Sequence, residues 1–136
     1  MTTTLPAHGA KRGNVVLVLF PDSNLRTAKR RPAHVVQADD LATGLPRTIV
    51  AMITSRMFRA KHPSRVTVLL SSPEGQGDVP LSDSVVMTDN LATVADDAID
   101  RVIGSLPMDA VDTALAHTLG IEAAATTPQP SVEQRS

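Results

Sequence analysis

Residues 14–20 read Asn-Val-Val-Leu-Val-Leu-Phe, and Pro21 follows. An apolar run this short, rich in Val and closed by Pro, suits a strand buried on both faces. Similar runs recur along the chain. Pro32 to Ala38 is a second, with Pro at its first position, where a missing N–H is tolerated. Thr48 to Thr54, Arg65 to Ser71 and Asp83 to Thr88 follow, and Arg101 to Leu106 makes a short edge strand. Pro, Gly, Asp and Asn punctuate them. That rhythm predicts a small barrel or a strongly curved sheet.

Helical spacing is concentrated near the end. Met108, Val111, Leu115 and Leu119 fall on one helix face. Pro107 fits a first turn, and Asp109 and Asp112 complement its positive end. His117 lies near the negative end, and Gly120 is a natural stop. Asp96 to Ile99 reads as one further helical turn. The fold class is therefore mainly β with a closing C-terminal helix, spanning 12–121. Residues 1–11 read as a flexible lead-in and 122–136 as a disordered tail.

The net charge of −1 conceals a split: residues 1–66 carry 11 Lys/Arg against three Asp, whereas 67–136 carry two Arg against 11 Asp/Glu. The asymmetry fits an anionic partner on one face, or halves that neutralise each other across the fold. Cysteine is absent, which excludes disulfides, thiolate zinc sites and a Cys nucleophile and suits a reducing cytoplasm. Trp and Tyr are absent too, leaving Phe20 and Phe58. A single-strand binder built on aromatic stacking is disfavoured. No apolar run reaches the roughly 18–20 residues of a membrane span, and the first 12 residues have no signal-peptide pattern.

Two basic stretches stand out. The first, Pro21 to Arg31, joins the first two predicted strands and holds Arg26, Lys29, Arg30 and Arg31. Such a loop either grips phosphate or is a solvated hairpin tip. The second holds Arg56, Arg59, Lys61, His62 and Arg65 after the third strand. If the two converge, they form a track for a polyanion backbone. Thr54 ends the third strand, with Ser55 next; its hydroxyl can bond a phosphate or cap a turn. His34, alone in an apolar run and on the opposite strand face from Arg31, reads first as a core residue. Glu74 to Asp78 is a Gly-rich connector that lacks the ending of a phosphate loop. The cluster Asp96, Asp97 and Asp100 reads as a solvated turn, facing away from the basic groove. No metal-ligand spacing occurs among His8, His62 and His117.

In order and spacing these pieces resemble the MazF/PemK family of toxin–antitoxin endoribonucleases, along most of residues 12–121. The matching strings are Arg12-Gly13-Asn14-Val15-Val16, Phe20-Pro21, Arg31-Pro32-Ala33, Val35-Val36-Gln37, Ile49-Val50-Ala51, Ile53-Thr54, Asp83-Ser84-Val85-Val86 and the final helix. The resemblance implies an SH3-like barrel, a homodimer, and metal- and cofactor-independent cleavage of single-stranded RNA. It further implies an antitoxin that covers the RNA groove. It places the catalytic pair on Arg31 and Thr54, and a substrate-gating loop on Arg26, Lys29 and Arg30. Two positions depart from the family pattern: Asn14 stands where Asp is usual, and His34 where an aliphatic residue is usual.

Metal-free RNA cleavage uses the 2′-hydroxyl as nucleophile and needs donors for the growing phosphate charge. The planar fork of Arg31 suits that task; as a base it is feeble, because Arg stays protonated. Base reading falls to edge contacts and Arg planes, for which Gln37 and Arg56 are the candidates, and Ser55 is a further substrate-binding candidate. His34 or His62 is the candidate general base. A non-enzymatic toxin of the same fold that poisons a DNA topoisomerase is the alternative function, since fold alone does not separate the two.

Overall fold

Val15 and Val16 are adjacent, and both are buried, although strand neighbours point to opposite faces. The sheet must therefore be covered on both sides. A computed structural model describes residues 9–21, 24–68 and 83–121 and shows how. The strands are β1 (Asn14–Pro21), β2 (Ala28–Val35), β3 (Arg47–Thr54), β4 (Arg65–Val68), β5 (Ser84–Ala95) and β6 (Ile99–Ser105). Short 3-10 turns occupy Met57–Arg59 and Asp96–Ala98, and helix α1 spans Asp109–Leu119. The strands form one antiparallel sheet in the order β4-β5-β3-β2-β1-β6.

One face carries Val16, Val18, Ala33, Val35, Val50, Met52, Val85 and Met87, and the sheet wraps this set against Val94 and Ile99. The opposite face carries Val15, Ala51, Ile53, Val86 and Ile103, on which Val111 of α1 packs. Each fully buried Val contributes about 1.5–3 kcal/mol. Irregular registers in β1–β6 and β3–β5 bend the sheet. It is barrel-like without a hydrogen-bonded seam between the edge strands β4 and β6 among the described residues.

Several boundaries differ from those read in the sequence. β2 begins at Ala28, not Pro32, because Ala28–Arg31 pair with Val18–Pro21 of β1. The long first connection shrinks accordingly, and Lys29, Arg30 and Arg31 become strand residues. Pro32 is tolerated in mid-strand because pairing with β3 starts only at Ala33. β5 runs on to Ala95 by looping out Thr88–Asn90 between the pairs Met52–Met87 and Ala51–Leu91. The end of the fourth predicted strand, the Gly-rich connector and both tails (apart from residues 9–11 of the lead-in) lie outside the described residues. In α1 the buried residues are Val111 and Ala114, while Leu119, expected on the apolar stripe, is exposed. Gly120 ends the helix at φ 72° as expected.

Both departures from the family pattern have clear local partners. Asn14 closes a turn: its Oδ1 accepts the Lys11 N–H at 2.7 Å, as an aspartate would. His34 is completely buried, with Nε2 3.1 Å from the Gly13 carbonyl. Burial lowers its pKa, outweighing the raising effect of the Gly13 and Leu106 carbonyls. The ring is neutral and donates from Nε2, leaving Nδ1 without a partner.

Candidate functional site

Alternation along β2 puts Lys29 and Arg31 on the face of Ala33 and Val35. Alternation along β3 puts Thr54 on that same face, with Val50 and Met52. The last β2–β3 pair is Ala33–Met52. Continuing that register by two positions sets Arg31 opposite Thr54. The β2–β3 pairing is not continued there, although Arg31 stays paired with Val18 of β1 and Thr54 with Val85 of β5. The result is a notch at the end of the sheet with a guanidinium on one rim and a hydroxyl on the other.

Arg31 is exposed, and among the described residues no carboxylate pairs with it. The Thr54 Oγ1 accepts the Arg56 N–H at 3.1 Å. It thus caps the turn, one of the two uses open to it from sequence. The same hydroxyl still has its own proton to donate. Arg56, exposed, leads into the 3-10 turn, and Ala60 at the end of that turn packs on the core of the Arg31 face. Ser55 is exposed beside them, and Lys61 follows. Both basic stretches therefore reach the same end of one face.

The remaining candidates divide. Arg26 is exposed in the β1–β2 turn, where Asn24 Oδ1 accepts the N–H groups of Arg26 and Thr27 at 2.8 and 3.3 Å. Arg30 alternates to the opposite face from Arg31 and bonds Asp100 at 3.2 Å. Gln37 lies at the far end, six residues from Arg31, or roughly 20 Å of extended strand. Its Oε1 accepts the Ile49 N–H at 3.1 Å where β2 pairing has ended. It is a structural surrogate for a backbone acceptor, and the structure does not bring it to the notch.

The proposed bases also separate. His34 is sealed on the face opposite Arg31. His62 accepts the Ser64 N–H at Nδ1 (3.1 Å) and packs edge-on against His117, 6.2 Å between centroids, at the corner of β4 and α1.

The acidic half is used partly as a neutraliser. Arg12–Asp112, Arg30–Asp100 and Arg65–Asp89 join the two halves. Asp100 thus comes beside the base of β2, against the expectation that this cluster turns away, although it meets Arg30 and not Arg31. Asp96 accepts from the Thr48 hydroxyl at 2.7 Å, at the other end of β3 from Thr54. Among the described residues, Arg26, Lys29, Arg31, Arg56, Arg59 and Lys61 have no carboxylate within salt-bridge reach. Lys11, Arg47 and Arg101 are likewise without one, and Arg47 begins β3 at the end opposite Thr54.

Sequence reading passed over Phe58. It is 75% exposed, four residues beyond Thr54, and the Arg59 guanidinium lies 5.5 Å from its ring centroid. The available signal was local: one of two Phe in the chain, set between Arg56 and Arg59.

Comparison with known proteins agrees with this architecture. The chain is similar in fold to an endoribonuclease from Mycobacterial species, at 22% identity over 90% of this chain and 96% of that one, with a TM-score of 0.60. It is also similar to an endoribonuclease in complex with its cognate antitoxin from Mycobacterial species (23% identity, 82% and 95% covered, TM-score 0.61). A MazE–MazF structure from Deinococcus radiodurans gives 21% identity, 82% and 96% covered, and a TM-score of 0.61. No curated protein matches the chain. Residues 11–119 match the model of the PemK-like, MazF-like toxins of type II toxin–antitoxin systems, and the chain belongs to that family.

Proposed function

We propose that the protein is the toxin of a type II toxin–antitoxin pair and a sequence-specific endoribonuclease that cleaves single-stranded mRNA in the cytoplasm without metal. The observation that carries this reading is the notch, with Arg31 and Thr54 on one face amid cations that the acidic half leaves unneutralised. The scissile phosphate sits between the two side chains. The RNA 2′-oxygen bonds to phosphorus, the bond to the 5′-oxygen breaks, and the ends are a 2′,3′-cyclic phosphate and a 5′-hydroxyl. Arg31 donates two parallel N–H groups to the phosphate oxygens as charge builds on them. Thr54 adds one O–H donor. The proton lost by the 2′-hydroxyl and the one gained by the leaving oxygen exchange with water.

Lys29, Arg26 and Arg56 hold the flanking backbone. The protein acts as a homodimer, which lengthens the short basic track of one subunit. A cognate antitoxin covers the same face, in keeping with the antitoxin-bound mycobacterial and Deinococcus relatives. The test is incubation with mixed-sequence RNA in excess chelator, followed by end mapping. Discrete cuts with the stated ends, lost in Arg31→Ala, are expected. Absence of cuts by the wild type, or undiminished cutting by Arg31→Ala, overturns the proposal. A supercoiling assay then tests topoisomerase poisoning by the same fold.

A further inference from the structure

The two phenylalanines of this chain are used differently. Phe20 is half-buried against the core of the Arg31 face, whereas Phe58 is 75% exposed and belongs to neither apolar cluster. An exposed aromatic ring forgoes the stabilisation that burial would give it. This exposed ring lies four residues beyond the candidate catalytic Thr54, which makes its surroundings informative.

Its surroundings indicate which kind. The Thr54 hydroxyl accepts the Arg56 N–H, tying the catalytic candidate to the start of the turn that bears Phe58. The turn is closed by Arg59 N–H to the Arg56 carbonyl (3.0 Å) and by Ala60 N–H to the Met57 carbonyl (3.0 Å). Its far end is fixed by Arg65, whose Nη1 donates to the Arg59 carbonyl at 3.0 Å while Nη2 holds Asp89 at 2.7 Å. Phe58 therefore stands on a braced backbone. Arg59 lies against its ring, and Arg56 and Lys61 flank it without carboxylate partners among the described residues. A protein partner's apolar patch would have to desolvate these cations. A nucleobase with its phosphate satisfies ring and cations together.

We propose that Phe58, stacked beneath by Arg59, is the platform for one unpaired base next to the scissile phosphate. This rests on the nuclease reading only for the position of that phosphate. It is a single platform and not an aromatic track, so the low aromatic content is no obstacle. Stacking on one ring is tolerant of base identity and selects single strands over duplexes.

The test measures binding separately from cleavage. Fluorescence anisotropy with a labelled 12-nucleotide mixed-sequence RNA, in chelator and at one salt concentration, compares wild type, Phe58→Ala and Phe58→Trp. Phe58→Ala is expected to weaken single-strand binding about tenfold, with Phe58→Trp within about twofold of wild type. Binding of a 12-base-pair RNA duplex should be the same for all three. Equal single-strand affinity for wild type and Phe58→Ala overturns the proposal. So does a change in sedimentation of RNA-free Phe58→Ala, which assigns the ring to a subunit contact. If Phe58→Ala loses binding while the wild type cuts no RNA, the platform stands and the nuclease reading falls. If Arg31→Ala abolishes cutting while Phe58→Ala binds normally, the reverse holds.

Discussion

Arg31 and Thr54 hold facing register positions on one face of β2 and β3, two steps past the final backbone pair at Ala33 and Met52. Because the β2–β3 pairing is not continued there, neither side chain is committed to the other. Removing either donor from a reacting phosphate costs about 10²–10³ in rate. Thr54→Ala should therefore cut single-turnover RNA cleavage by that order, while Thr54→Ser, which keeps the O–H, stays within about tenfold of wild type. Arg31→Lys should fall well below wild type too, since an ammonium lacks the paired fork. Thr54→Ala also frees the Arg56 N–H, so urea unfolding of each variant should accompany the rates.

Arg30 is the internal control for Arg31. It is adjacent in sequence but projects from the other face to Asp100, and both partners are largely solvated. Such a pair contributes about 0–1 kcal/mol. Arg30→Ala should leave cleavage within about threefold of wild type and shift unfolding by no more than that amount. A loss matching that of Arg31→Ala would show that both faces of β2 meet the RNA.

How far the fold could be read depended on whether its cause was local. β1 was legible because two buried faces demand an unbroken apolar run. The start of β2 was not, because Ala28–Arg31 are polar or small and become strand only by pairing with Val18–Pro21. The extension of β5 depends on a loop-out at Thr88, whose N–H finds the Ser64 carbonyl at 3.0 Å, a contact no single stretch encodes. Strand alternation separated His34 from Arg31 in advance. The acceptor role of Gln37 was not legible because it depends on where β2–β3 pairing stops, which is a property of two strands. The exposure of Phe58 was not legible because a low aromatic content does not say where a single ring is placed.

Gly13 is a junction of three elements. Its N–H bonds the Val35 carbonyl at 2.9 Å, and its own carbonyl accepts the Leu106 N–H at 2.8 Å. Its φ is +95°, and an added Cβ would lie 3.2 Å from the Leu106 carbonyl oxygen. Backbone strain and crowding act together there, and the neighbour is backbone, which cannot swing aside. Gly13→Ala should lose about 1–3 kcal/mol of stability in urea melts. An unchanged midpoint would contradict the geometry of this junction.

His34 makes stability depend on pH. Burial holds its pKa below the ordinary 6.5, so the unfolded chain binds a proton more readily than the folded one. Its contribution is complete above about pH 6.5 and declines as pH falls from there toward the folded-state value. Arg12 and Asp112, the nearby charges, act in opposite directions on the ring. Asp89, whose carboxyl is lowered by Arg65, loses its contribution only at pH below the ordinary 3.8, outside this window. His34→Ile removes an imidazole with an unpartnered Nδ1 and leaves the Gly13 carbonyl bonded to Leu106. At pH 7.5 the variant should lie within about 1.5 kcal/mol of wild type. Between pH 7.5 and 5 the wild type should lose more stability than the variant, measured by urea midpoints at each pH. The variant keeps every other residue unchanged, so the difference between the two curves reports His34 alone. Parallel curves would mean that the ring is solvated and charged in the folded protein.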